Sequence, residues 1–237
     1  MDAKRIVPEL TLRDGKVVPG PGPDLDPARL ADWACHLEQE GADGILFREV
    51  PGGSAPAPGT RAGWIREVAG HLGIPFSLEA RLWRLEELEE ILAAGADKVV
   101  LAGAGDDPLL GAALQAFGRI RLGAALDVVL GRDGQWLAGP DSGPEERDAL
   151  AWMAELEQRG AGEILVRTAP EGEETAALFQ AAARLPLAVL FRSTAGPDLV
   201  AEALLHGADG LAYPAFTRTS DEWKTALAVH GLALRQA

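Results

Sequence analysis

Cysteine is almost absent from this chain of 237 residues, and Cys35 stands alone. One thiol cannot build an internal disulfide framework, and it suits a reducing cytoplasm. Cys35 and four scattered histidines, His36, His71, His206 and His230, offer no zinc-ligand spacing, so neither metal nor cofactor is expected. Each histidine falls on or at the end of a helical pattern, where a surface or capping role is its default. No apolar run approaches the roughly 20 residues that a bilayer span needs. The opening MDAKRIVPEL carries charge with no long apolar stretch behind it, so it does not read as a signal peptide. Positive charge is scarce. A formal net charge of −14 argues against nucleic acid and against anionic membrane surfaces as partners. A GxGxxG turn is missing after the first candidate strand, which removes the signature of an open dinucleotide-binding sheet.

What the sequence does have is repetition. Four segments share Gly-Ala, a polar or small residue, and then an apolar run: Gly41-Ala42-Asp43, Gly95-Ala96-Asp97, Gly160-Ala161-Gly162 and Gly207-Ala208-Asp209. A helical pattern precedes each, such as LEELEEILAA, and a short β-type run follows, such as KVVLA. Glycine accepts the left-handed conformation that closes a helix, and strands buried between layers are apolar on both faces. RIVPELTL, IPFSLEA, RLGAALDVV and LPLAVLF supply four more strand candidates. Eight strands, each followed by a helical pattern, imply a parallel sheet with right-handed crossovers, and at this length a single-domain (β/α)8 TIM barrel over 1–237. A second symmetry overlies the first. Gly41 matches Gly160, Gly95 matches Gly207, Pro75 matches Pro186, and LTLRDGK matches LDVVLGRDGQ. The barrel therefore reads as two half-barrels, about 1–118 and 119–237. GRDGQW reads as a hairpin turn after the fifth strand, Asp106 and Asp107 as caps of a helix beginning at Pro108, and PGGSAPAPGT, 51–60, as a mobile connection.

Several of these words point to one family. AKRIVPELTLRDGKVVPG, EGADGILF, IPFSLEA with AGADKVV, GAGEILV and AGPDLVAEALLHGADG follow the order of the cyclase subunit of imidazole glycerol phosphate synthase, the HisF family of histidine biosynthesis. The chain resembles that family over essentially its whole length. The resemblance implies a barrel that binds a substrate with two phosphates and cyclises it with two aspartates, one ending strand 1 and one ending strand 5. It implies ammonia delivered by a glutaminase subunit docked at the N-terminal face. Asp127 matches the strand-5 aspartate. Arg5, Lys98 and Glu163 match three charged positions at the ammonia entrance, Gly44 replaces the fourth, and Asp97 matches a position facing the glutaminase.

The departures from the family pattern concern chemistry. Thr11 stands at the strand-1 aspartate, and a threonine hydroxyl cannot serve as a general acid or base near neutral pH. Such catalysis typically contributes about 10²–10⁴-fold, so cyclase activity is expected to be lost or much reduced. The glycine-rich phosphate cradles have become Glu79-Ala80-Arg81 and Arg192-Ser193-Thr194, and the loop after strand 6 shortens to APEGEE. Glu79 is a candidate substitute acid beside Asp127.

Arginines gather at the carboxyl ends of the strands instead. Arg48 and Arg167, Arg81 and Arg192, and Arg13 and Arg132 form three symmetry-related pairs. Arginine forks bind phosphate or carboxylate bidentately, so these six are candidate anion ligands. The plainer expectation is that they pair with nearby acids, Glu49, Glu79, Asp127 and Glu171. Three functions compete: a weakened cyclase, a non-catalytic relative binding an anion or a glutaminase-like partner, and a barrel enzyme of different chemistry.

Overall fold

The computed structural model describes residues 3–18, 25–26, 28–50, 60–103, 108–139, 147–168 and 173–235. Of the expected connection at 51–60, residues 51–59 lie outside them, as do the acids Asp106 and Asp107 and Glu171, while Thr60 already opens a helix. Eight parallel strands form the barrel wall: β1 (Arg5–Arg13), β3 (Ile45–Glu49), β4 (Phe76–Ala80), β5 (Lys98–Ala102), β6 (Leu122–Leu130), β9 (Glu163–Thr168), β10 (Ala188–Arg192) and β11 (Gly210–Pro214). Neighbours along the chain are neighbours in the wall. β11 returns to β1 and β5 pairs with β6, so the sheet closes into the (β/α)8 barrel that the repeat predicts. Eight helices among the described residues follow the strands: α1 (Leu30–Gln39), α2 (Thr60–Ala69), α3 (Leu85–Ala94), α4 (Pro108–Phe117), α5 (Ala149–Arg159), α6 (Glu173–Ala182), α7 (Pro197–Leu205) and α8 (Ser220–Ala228). Two strands begin later than their apolar runs. β4 starts at Phe76 and β10 at Ala188, because the residues around Pro75 and Pro186 complete the helix-to-strand joint.

Both Asp-Gly words are hairpin tips. Asp14 and Gly15 have φ of 53° and 74°, the left-handed pair that a two-residue hairpin requires, and they turn β1 onto β2 (Lys16–Val17). The second tip turns β6 onto β7 (Trp136–Ala138), closed by Gly131 N–H donating to the Gln135 carbonyl, and β8 (Arg147–Asp148) extends this ribbon.

The core has two compartments. Between wall and helices lies the larger, which includes Phe47, Trp64, Trp152, Phe179 and Trp223. Inside the barrel, Val7, Leu46, Val100, Ala125, Leu165, Leu190 and Ala212 form a separate apolar cluster. This inner layer divides the axis into two polar ends, and each end carries its own charged constellation.

Candidate functional site

Side chains alternate along a strand, so the inner layer dates every other position. Two residues beyond it toward the carboxyl ends come Glu9, Arg48, Asp127, Arg167 and Arg192, and Glu79 joins them from β4 opposite Arg48. These six residues form one ion-pair network at the mouth. Arg167 is its centre. Its Nη1 donates to Glu79 Oε1 at 2.8 Å, its Nη2 donates to Asp127 Oδ2 at 2.8 Å, and its Nε lies 2.8 Å from Asp127 Oδ1. Arg192 Nε donates to Glu9 Oε2 at 2.7 Å. Thr11 points the same way, and its hydroxyl donates to Glu9 Oε1 at 3.4 Å.

Glu9 was not among the candidates read from sequence. The signal was present, since Arg5 and Thr11 both face inward and Glu9 shares their parity on β1. It is buried, as is Glu79. Burial, reinforced by the carboxylates of Glu9 and Asp127, pushes the Glu79 carboxyl up to about 7 despite Arg167 and Arg48. Its Oε2 is buried and accepts no hydrogen bond from a described residue.

The six arginines separate into two groups. Arg48, Arg167 and Arg192 enter the network, Arg167 with the expected acids Glu79 and Asp127 and Arg192 with Glu9 instead. Arg13 and Arg132 are exposed on the two hairpins. Arg81 is exposed past the end of β4, with its guanidinium 5.8 Å from the ring centre of Trp83, itself largely solvent-exposed. Among the acids, Glu49 turns away from the mouth and is gripped by Arg61, whose Nη2 lies 2.7 Å from Oε2.

At the opposite end, Arg5, Lys98 and Glu163, grouped in the sequence only by resemblance, come together. Arg5 Nη2 and Lys98 Nζ lie 2.7 and 2.8 Å from Glu163 Oε2. Burial disfavours the charged carboxylate, but the two cations outweigh it and hold Glu163 below the usual range. Around them opens a depression of about 540 Å³, lined also by Arg119, Ile120, Asp209 and Arg235. Asp97 lies outside this cluster: its Oδ2 accepts from Phe76 N–H at 2.9 Å, a structural bond within the wall. No His/Cys/Asp/Glu group among the described residues could hold a metal ion, and no helix there is long and apolar enough to cross a membrane.

Fold and site together define a (β/α)8-barrel protein with a titratable cluster at the carboxyl ends of its strands. Comparison with known proteins narrows the class. The model of the histidine biosynthesis protein family matches residues 5–173. Imidazole glycerol phosphate synthase subunit HisF of Stenotrophomonas maltophilia (strain K279a) is 33% identical over 176 residues, covering 70% of this chain and 68% of the relative. The subunit of the same name from Xylella fastidiosa (strain M12) is 29% identical over 224 residues, covering 88% and 87%. That of Xanthomonas campestris pv. campestris (strain 8004) is 31% identical over 176 residues, 70% and 68%. The chain belongs to the histidine biosynthesis protein family and is a HisF-like member of it.

Proposed function

We propose that this chain is a HisF-like barrel in which cyclase activity is lost or much reduced. One observation carries the reading: Arg167 engages both carboxylate oxygens of Asp127. A guanidinium set against both oxygens competes with a substrate for the lone pairs that would take its proton. Thr11, where the resemblance places the second aspartate, offers a hydroxyl already directed at Glu9. The changed phosphate cradles support the same conclusion. The opposite face keeps three of the four entrance charges around a solvent-open depression, which supports a glutaminase-like partner docking there.

The test is ammonia-dependent turnover of the family's bisphosphorylated substrate by the purified chain, beside an intact cyclase. Native protein should run at least about 10²-fold slower, the contribution of one acid–base group. Turnover near that of the intact enzyme, abolished by Asp127→Asn, would show that the family chemistry survives and would sink the proposal. Thr11→Asp run in parallel reports whether the missing carboxylate is the limiting loss.

A second reading, acid–base chemistry of another kind, is favoured by one feature. Glu79 and Asp127 share Arg167, yet Glu79 is far more buried, and burial pushes its carboxyl up to about 7. Two carboxyl groups set apart by their environments can divide the roles of acid and base.

A further inference from the structure

The mouth network is unevenly satisfied, and the imbalance falls on Arg48 and its neighbour Glu79. Arg167 and Arg192 each make hydrogen bonds of 2.7–2.8 Å to carboxylates. Arg48 makes none to any described residue. Its Nη1 stands 3.8 Å from Glu9 Oε1 and its Nε 3.7 Å from Glu79 Oε2, close enough for attraction and too far for a bond. Beside it, Glu79 Oε2 is a buried oxygen without a hydrogen bond among the described residues. A buried polar atom left this way costs free energy unless something pairs with it. A guanidinium fork and a carboxyl oxygen therefore stand side by side, both unfilled, with Arg48 about a quarter exposed to solvent.

We propose that Arg48 and Glu79 Oε2 bind one small oxyanion group, phosphate or carboxylate, at the barrel mouth, together with a proton on Glu79. The fork of Arg48 takes two oxygens of the ligand, and protonated Oε2 donates a hydrogen bond to it. Charge balance agrees. Three arginines face Glu9, Glu79 and Asp127, so protonating Glu79 leaves one positive charge for the anion. The charged groups facing Glu79 are Arg48 on β3, Arg167 on β9, Glu9 on β1 and Asp127 on β6, while β5 presents the apolar Val100. Burial places Glu79's ionisation near pH 7, which makes the coupling observable in ordinary buffers. Arg167 and Arg192 position the carboxylates, and the hairpin arginines take no part.

Calorimetric titration of the full chain with sulfate and with acetate tests this, because neither probe titrates between pH 6 and 8. Saturable one-to-one binding is expected for at least one, about tenfold tighter at pH 6 than at pH 8 by linkage to one proton. Sulfate preferred points to phosphate groups as the natural ligand, and acetate preferred to carboxylates. Arg48→Gln should abolish binding and Arg48→Lys weaken it, with circular dichroism establishing that both are folded. Glu79→Gln should still bind, with the pH dependence gone. No saturable binding by either probe overturns the proposal. So does binding that survives Arg48→Gln, or that is lost in Arg132→Gln instead. Binding and turnover are separate readouts, so cyclase activity in the native chain leaves this result interpretable.

Discussion

Arg48 and Arg167 occupy the same point in the two halves, and the repeat treats them as equivalents. The network does not. Arg167 compensates two carboxylates through direct bonds, and removing it leaves Glu79 and Asp127 without their guanidinium. Breaking such a pair at a buried site costs about 3–5 kcal/mol. Arg48 makes only long contacts from a partly exposed position, where an ion pair is worth no more than about 1 kcal/mol. Urea denaturation should therefore show Arg167→Gln destabilised several-fold more than Arg48→Gln. Equal losses would mean that Arg48 is structural. Parity along the strands made the inward direction of both arginines legible in the sequence. Their unequal bonding was not, because it depends on Glu9. That residue sits inside an apolar-looking strand, and its partner Arg192 lies 183 positions away. Nor could sequence separate Arg81 from its repeat mate Arg192. One lies at the surface beside Trp83 and the other enters the barrel, a difference set by where each strand stops.

At the scale of the element, the recurring Gly-Ala-Asp words explain how each helix hands over to the next strand. The glycines at 41, 95, 160 and 207 all have positive φ, and the alanines behind them are buried. The third residue does more than its sequence suggests. Asp43, Asp97 and Asp209 donate their own N–H to the carbonyls of Ile6, Phe76 and Val189, and their Oδ2 atoms accept from the N–H of those same residues at 2.8–2.9 Å. Each aspartate thus clamps the preceding strand by two bonds. Asp97→Ala and Asp209→Ala should each cost about 1–3 kcal/mol, the penalty of an orphaned donor. Asp43→Ala should cost more, because Lys224 Nζ also lies 2.7 Å from its Oδ1. The fourth joint has Gly162 instead. Gly162→Asp looks like a repair by consensus, yet a Cβ there would overlap the Arg119 carbonyl, so this variant should be less stable than the native chain. A rise in the denaturation midpoint of Gly162→Asp would show that the joint relaxes freely. The word was legible from the sequence as a helix end and strand start. The clamp was not, since its partner belongs to the neighbouring strand.

On the scale of the whole molecule, the apolar layer from Val7 to Ala212 separates two ionic ends whose pH responses have opposite sign. Glu163 sits below its ordinary pKa, held by Arg5 and Lys98, so the stability it contributes is present above about 4.5 and is lost as pH falls lower. Glu79 sits above its ordinary value. The folded chain keeps a proton that the unfolded chain releases between about 4.5 and 7, and stability drains away as pH rises through that window. Self-repulsion acts in the same direction, because the chain passes its isoelectric point near 4.7 and reaches a net charge of −14 at pH 7. The thermal midpoint should therefore peak near pH 5 and decline toward pH 8. Glu79→Gln removes one cause of that decline and leaves the other. Its stability loss between pH 5 and pH 8 should be smaller than that of the native chain by on the order of 2–3 kcal/mol, with the acid limb unchanged. Parallel profiles for the two proteins would mean that Glu79 titrates as an ordinary glutamate. The proton at the mouth would then have no bearing on folding, and the decline would belong to net charge alone.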